Sequence, residues 1–261
     1  MKKGICIGCL PGSLSVEEKF ALAARAGYQG VEINTLENAE DRARAKAAAG
    51  AAGIEIPSVM ASGHWANPLS SADETVRQKG LANIRDSVDT AVAVGGTVVL
   101  VVPAVITDTQ PYAEAYEISV RSLKELAPYA AEHGIKLGIE NVWNRFLLTS
   151  REMRQYIKEI AAPNVGLYFD CGNILNYGYP QAWIRETGDL LIKVHVKAFD
   201  SNTRQFRHLL QGSVNWKEVR AALSEVGYND YITVELPLYP SYPDQMVIDS
   251  SHHLDRIISG E

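Results

Sequence analysis

Four polar side chains stand at the ends of short apolar runs in the C-terminal half of the chain. Residues 165–169 form a continuous apolar run that is followed directly by Asp170. The same order of apolar residues and then an ionisable one recurs at Glu140, His195 and Glu235. Runs of this kind are typical of buried parallel strands. Four repetitions of one placement predict a shared site at the strand ends.

Three carboxylates packed at one point would repel one another unless a cation neutralised them. Three oxygen ligands and one imidazole suit Mn²⁺ best, with Mg²⁺ or Co²⁺ as alternatives. The opposing interpretation makes these residues separate helix caps or ion-pair partners. We predict a divalent metal site whose ligands are Glu140, Asp170, His195 and Glu235.

A metal site of this composition predicts proton-transfer chemistry on a sugar. A 2-ketose could chelate the ion through its carbonyl and a hydroxyl, and the ion would stabilise the developing enediolate as a Lewis acid. Glu140 and Glu235 are the candidate acid/base pair. Removal of a proton on one face and its return on the other inverts a stereocentre, whereas transfer between adjacent carbons interconverts aldose and ketose.

Five further residues are candidates for substrate contacts. Lys197 lies two residues beyond the predicted histidine ligand and so faces the same way on a strand. It could hold a substrate oxygen or phosphate, or pair with a neighbouring acid. Asn173 and Arg145 follow ligand strands and are candidate hydroxyl contacts. His64 and Trp65 follow the third strand and could form a wall of a sugar site or a packing pair.

Strand patterns alternate with helix patterns along the whole chain, which predicts a parallel sheet with right-handed crossovers. The length of 261 residues is close to the roughly 250 of a (β/α)₈ barrel, in which catalytic groups lie at the C-terminal strand ends. We predict a single-domain α/β TIM barrel over residues 1–261. The predicted strands are 4–8, 30–33, 54–61, 97–102, 136–140, 165–170, 191–195 and 231–235. The predicted helices lie within 15–27, 40–52, 73–94, 112–133, 150–160, 182–184, 216–226 and 244–259.

The charge balance and the apolar runs restrict the partners. A formal net charge of −6 argues against nucleic acid, because non-specific binding to phosphate backbones needs a basic face. No apolar run has the length of a membrane span, and the N-terminus lacks the apolar core of a signal peptide. We therefore expect a cytoplasmic enzyme with a small-molecule partner.

The segment 236–243 is rich in Pro and Tyr and directly follows the predicted ligand Glu235. This composition predicts either a lid over the site or a subunit contact. The second alternative would make the protein a homo-oligomer.

The three cysteines do not form a disulfide framework. Cys6 and Cys9 have CxxC spacing, but residues three apart in an extended segment point to opposite sides. No second CxxC completes a zinc site. We therefore expect incidental thiols.

Several motifs together resemble the sugar phosphate isomerase/epimerase superfamily with the xylose isomerase-like barrel. They are Glu140-Asn-Val-Trp-Asn-Arg-Phe, Tyr168-Phe-Asp-Cys-Gly-Asn173, Lys193-Val-His-Val-Lys197, Leu210-Gln-Gly-Ser-Val-Asn-Trp216 and Thr233-Val-Glu235. The resemblance covers essentially the whole chain. It implies the Glu/Asp/His/Glu metal set named above, with the two glutamates as the acid/base pair of ketose 3-epimerases.

Two positions depart from the family pattern. Free-ketose 3-epimerases generally carry a histidine three residues after the metal Asp, where this chain has Asn173, as pentulose-phosphate epimerases do. The frequent His-hydrophobic-Lys-Asp pattern ends here in Ala198. The main expectation is an epimerase or isomerase of a ketose or ketose phosphate. The alternatives are a lyase that eliminates a group from a keto-sugar or its glycoside, and a sugar-binding barrel without turnover. An AP-endonuclease would need a basic groove and additional zinc ligands, and the composition disfavours it.

Overall fold

Eight parallel strands close into a barrel in the computed structural model, which describes residues 1–260. Each barrel strand pairs with the one before it, and β10 closes the barrel between β7 and β1. A separate antiparallel hairpin, β8 and β9, follows β7. The strands are β1 Lys2–Cys6, β2 Gly30–Asn34, β3 Ser58–Met60, β4 Val98–Val101, β5 Lys136–Glu140, β6 Val165–Asp170, β7 Leu191–Val196, β8 Ala198–Asp200, β9 Gln205–Arg207 and β10 Tyr231–Val234.

Helices surround the barrel, and local sequence sets where they begin and end. Ser15 and Thr149 each form a capping box with a glutamate three residues later, which satisfies otherwise unpaired amides. Gly53 and Gly95 end their helices in the left-handed conformation that glycine adopts without steric cost. The helices are α1 Val16–Arg25, α2 Ala39–Ala52, α3 Glu74–Val94, α4 Tyr112–Glu132, α5 Ser150–Ile160, α6 Cys171–Ile174, α7 Pro180–Thr187, α8 Trp216–Glu225 and α9 Pro243–Ser259.

The strand register brings polar residues to one end of the barrel. Asp170 on β6 pairs with His195 on β7, and His195 pairs in turn with Thr233 on β10. The register between β6 and β7 shifts at Leu167 and Tyr168, as in a β-bulge. Bulges re-aim side chains next to functional sites. Here the shift sets Asp170 level with His195.

The predicted barrel is confirmed, with differences at the ends of elements. β1 ends at Cys6 rather than residue 8, because Ile7–Cys9 forms a 3₁₀ turn. β3 is limited to Ser58–Met60, since Pro57 has no amide to donate to a sheet ladder. The segment between β7 and α8, for which no strand was predicted, contains the β8–β9 hairpin, and α6 forms directly after Asp170. Among residues 1–260, no helix is long and apolar enough to cross a membrane.

Candidate active site

The four predicted metal ligands meet at the C-terminal end of the barrel. One ligand atom from each of them lies within 4.8 Å of the others. Nδ1 of His195 lies 3.2 Å from Oε1 of Glu140 and 3.9 Å from Oε2 of Glu235. Asp170, His195 and Glu140 are buried, whereas the side chain of Glu235 is 32% exposed. Glu235 is therefore the member of the cluster that faces the opening.

Asp170 offers one oxygen to the cluster. Its Oδ1 accepts a hydrogen bond of 2.7 Å from the backbone amide of Asn173, which caps the short helix α6. Its Oδ2 is buried and accepts no hydrogen bond, although Nζ of Lys197 stands 3.2 Å away at ion-pair distance. Buried carboxylate oxygens are rarely left without a hydrogen bond. An oxygen in this state suits a cation ligand.

The surroundings separate the pKa values of the two glutamates. Burial raises the pKa of Glu140 to about 7, reinforced by the charge of Glu235 and opposed by His195. Burial also acts to raise the pKa of Glu235, but the positive charges of Lys197 and His195 prevail and lower it. Glu140 is thus partly protonated near neutral pH, while Glu235 is ionised.

Lys197 contributes a positive charge inside the cluster. Its Nζ contacts Oε2 of Glu235 as well as Asp170, and its side chain is only 13% exposed. Burial acts to lower the pKa of Lys197, but the charges of Asp170 and Glu235 raise it above its ordinary value. Of the two roles expected for this lysine, the structure contains the ion pair. The substrate contact stays a prediction.

Glu32 on β2 belongs to the site and was missed by the sequence analysis. Its Oε1 lies 2.9 Å from Nε2 of His195, and its Oε2 accepts hydrogen bonds of 2.5 Å from Ser58 Oγ and Tyr168 OH. Burial opposes ionisation, but His195 and the two hydroxyl donors lower the pKa of Glu32 to about 2. A proton held on Nε2 by this carboxylate leaves Nδ1, which faces Glu140, free to bind a metal.

His64 and Trp65, two of the predicted substrate contacts, form a ring pair after β3. His64 Nδ1 lies 2.8 Å from Ala61 O, and its ring meets Trp65 edge-on at 5.2 Å. His64 follows the C-terminal end of β3, so it lies at the same barrel end as the cluster. Trp65 is 55% exposed.

Asn173 and Arg145 lie outside the cluster itself. The Asn173 side chain donates to Asn141 O at 2.9 Å and so joins the β5 and β6 loops behind Asp170. Arg145 is exposed, with φ of 61°, and makes no hydrogen bond or ion pair within residues 1–260. A substrate contact from either residue stays a prediction.

A cavity of about 400 Å³ opens beside the cluster. Lys197 and Glu235 line it together with Cys6 at the end of β1, Cys9 in the 3₁₀ turn that follows, and Phe206. Phe206 comes from β9 and packs against Trp143 with tilted ring planes and ring centroids 4.7 Å apart, so the hairpin contributes an aromatic wall. The complete lining is Cys6, Gly8, Cys9, Met60, Lys197, Phe206, Glu235, Leu236 and Pro237.

Two cavities, of about 1160 and 410 Å³, lie at the opposite end of the barrel, among the residues that precede the strands. Function in TIM barrels resides at the C-terminal end. We therefore assign the site to the cavity beside Glu235. The segment 236–243 borders this cavity through Leu236 and Pro237, while Tyr242 is 79% exposed.

This fold and site define a TIM barrel with an acidic, histidine-containing centre at the C-terminal ends of its strands. The family model described as xylose isomerase-like TIM barrel matches residues 20–257. The chain belongs to this family.

Relatives of known sequence and structure agree with this assignment. The chain is 32% identical over 177 residues to an uncharacterised protein of Methanocaldococcus jannaschii, covering 65% of this chain and 60% of that protein. It is 25% identical over 246 residues to L-ribulose-5-phosphate 3-epimerase UlaE of Salmonella paratyphi C, covering 89% and 86%. A solved D-tagatose 3-epimerase-like protein superimposes with a TM-score of 0.85 at 23% identity, covering 99% of this chain and 97% of that one. The similarity to this solved structure shows the fold alone.

Proposed function

We propose that this protein is a divalent-metal-dependent epimerase or isomerase of a ketose or ketose phosphate, located in the cytoplasm. The observation that carries the proposal is the convergence of Glu140, Asp170, His195 and Glu235 within 4.8 Å, with a buried Asp170 oxygen that accepts no hydrogen bond. The similarity to an L-ribulose-5-phosphate 3-epimerase over most of the chain supports the substrate class.

The donor set fits a hard to borderline divalent cation, with Mn²⁺ as the first choice. Glu140, Asp170, His195 and Glu235 would hold the ion, and Glu32 would orient the imidazole from behind. When bound, the ion supplies Lewis-acid polarisation of the sugar oxygens. All proton movements remain the work of the protein side chains.

The two glutamates stand on either side of the other two residues. In the barrel order, β5 and β10 flank β6 and β7, so Glu140 and Glu235 lie at the two ends of the cluster. A sugar seated between them presents one face to each carboxyl group. One of the two carboxylates removes the proton from carbon on its own face of the sugar, and the other returns a proton on the opposite face.

The cavity fits a monosaccharide. Its volume of about 400 Å³ lies within the roughly 300–1,000 Å³ that is usual for small-molecule sites. Phe206, with Trp143 packed against it, offers an apolar wall for the carbon skeleton. Lys197 is the positively charged residue in the cavity lining and would contact a substrate oxygen.

Solvent exchange provides the test. We expect the Mn²⁺-loaded protein, incubated with ketopentoses, ketohexoses and their phosphates in D₂O, to incorporate deuterium at one carbon, as followed by NMR. Glu140→Gln and Glu235→Gln should each reduce incorporation by at least about 10²-fold, in line with general acid–base catalysis. Arg85→Gln, a matched change in the ion pair with Glu125 on the outer helices, is the control.

Four results would contradict the proposal. The first is a protein that takes up no divalent metal, measured by elemental analysis after dialysis against Mn²⁺. The second is deuterium incorporation that persists in both glutamine variants. The third is sugar binding without exchange in any compound of the panel, which would assign the protein to the non-catalytic alternative. An unsaturated product would assign it to the lyase alternative.

A further inference from the structure

Cys6 and Cys9 both line the candidate cavity and have no role in the proposed reaction. Both are buried, at 2% and 4% exposure, and both line the cavity beside Lys197 and Glu235. The expectation that they point to opposite sides is wrong, because the extended conformation ends at Cys6.

The turn after β1 brings the two cysteines within reach of each other. Cys6 is extended, and Ile7 and Gly8 are the first two residues of the 3₁₀ turn that includes Cys9. Ile7 and Gly8 are thus the central residues of a four-residue turn, which brings the outer Cα atoms to within about 7 Å. Disulfides join Cα atoms about 4.4–6.8 Å apart.

Each thiol forms a hydrogen bond with a residue next to a candidate metal ligand. Cys6 Sγ donates to Glu32 Oε1 at 3.4 Å and lies 3.6 Å from Nε2 of His195. Cys9 Sγ accepts a hydrogen bond of 3.1 Å from the backbone amide of Leu236, the residue after Glu235. A covalent bond between the two sulfurs would change both contacts.

We propose that Cys6 and Cys9 form a modification site in which hydrogen peroxide converts the dithiol to a disulfide. One thiol attacks the peroxide O–O bond, giving a sulfenic acid and one water. The second thiol then displaces the hydroxyl group as a second water and forms the S–S bond. The two sulfurs together lose two electrons and two protons, and the peroxide is reduced. The cavity admits a molecule of this size.

The modification acts on the metal site, a consequence that rests on the proposed function. The disulfide removes the S–H donor from Glu32, which supports His195, and alters the hydrogen bond next to Glu235. Loss of such supporting contacts typically weakens metal binding by about 10- to 100-fold. We expect the oxidised protein to bind Mn²⁺ about tenfold more weakly than the reduced protein, with recovery after treatment with dithiothreitol.

Thiol counting and peptide mass spectrometry test the site without any assay of activity. Peroxide treatment should reduce the accessible thiols of the denatured chain from three to one, and a peptide containing residues 6 and 9 should lose two hydrogens. Cys171→Ser, which removes the cysteine that does not line the cavity, should still form the disulfide. Cys6→Ser and Cys9→Ser should not form it, and their Mn²⁺ affinity should be insensitive to mild peroxide.

Two results would overturn the proposal: three thiols remaining after peroxide treatment, or independent oxidation of Cys6 and Cys9 to sulfinic acids without an S–S bond. A disulfide that forms in a protein with no metal affinity would instead count against the proposed function alone. Peptide mass spectrometry of the peroxide-treated wild-type protein shows whether the disulfide forms even where a serine variant fails to fold.

Discussion

Replacement of Glu32 by glutamine is the most direct test of how the site is organised. The carboxylate accepts from Nε2 of His195 at 2.9 Å on one oxygen and from Ser58 and Tyr168 on the other. Glutamine has the same shape but no charge. The amide oxygen can still face Nε2, and the amide NH₂ can donate to hydroxyl groups that can turn to accept. The variant therefore changes the support of His195 with little change in packing.

The expected effect is on metal affinity. A charge-assisted hydrogen bond is roughly twice as strong as a neutral one, and loss of the carboxylate partner of a ligand histidine typically costs about 10- to 100-fold in metal affinity. We expect Glu32→Gln to raise the Kd for Mn²⁺ by this range, equivalent to about 1.4–2.8 kcal/mol. Isothermal titration calorimetry measures the Kd, and the electron paramagnetic resonance signal of free Mn²⁺ provides an independent readout.

Ser58→Ala is the matched control for this variant. It removes one of the two hydroxyl donors to Oε2 and leaves the contact between Glu32 and His195 in place. Its Mn²⁺ affinity should fall less than that of Glu32→Gln. An affinity of Glu32→Gln within twofold of the wild type, in a protein with unchanged urea stability, would refute the assignment of Glu32 as the support of His195.

Three further predictions concern charge and the aromatic wall. In EDTA, the free energy of unfolding should fall as pH rises from about 5 to 8, because folded Glu140 and His195, whose pKa values are raised, bind more protons than in the unfolded chain. The rise in the pKa of Glu140 from 4.5 to about 7 alone corresponds to about 3 kcal/mol; urea titrations that are flat across this range would contradict the charge assignment. Lys197→Met should destabilise the metal-free protein by about 3 kcal/mol, the low end for a buried ion pair, and lower the Kd for Mn²⁺, since Asp170 and Glu235 lose their ammonium partner. Phe206→Ala should raise KM for the sugar with a smaller change in kcat, and steady-state kinetics that show the reverse would exclude a role as a binding wall.

The strand-end pattern was sufficient to predict the convergence of Glu140, Asp170, His195 and Glu235. Neighbouring parallel strands end at the same edge of a barrel, so residues placed alike on four of them must lie close together. That inference needs only the alternation of elements and the position of each polar residue. It does not need the exact bounds of the strands, and Glu235 lies one residue beyond β10.

Glu32 could not be assigned in this way, although its position carried a signal. It stands between Val31 and Ile33 in a short strand, where a charge is unusual. Its partner His195 lies on β7, which is not a neighbour of β2 in the barrel order, so the contact crosses the interior. A pattern along one strand does not reveal which residue lies opposite in a closed barrel.

The β8–β9 hairpin and the turn at Cys6 were missed for a different reason. Each hairpin strand has three residues, which is too short for an alternating pattern to emerge from a polar loop. The 3₁₀ turn has no composition that distinguishes it from the end of a strand. Both elements line the cavity, so the strand-end pattern predicts the convergence of the four polar residues but not the walls around them.

The charges of the metal-free site show why ion binding should be coupled to proton release. Glu32 and Glu235 are ionised, while His195 and Lys197 carry positive charge, and burial leaves Glu140 with a pKa of about 7. Protons and one lysine thus perform the neutralisation that a divalent cation would otherwise provide. Since metal ligands must be deprotonated, binding of the ion has to displace protons from Glu140 and His195. Mn²⁺ affinity should accordingly increase with pH between about 6 and 8, and calorimetry in buffers of different ionisation enthalpy would measure the protons released.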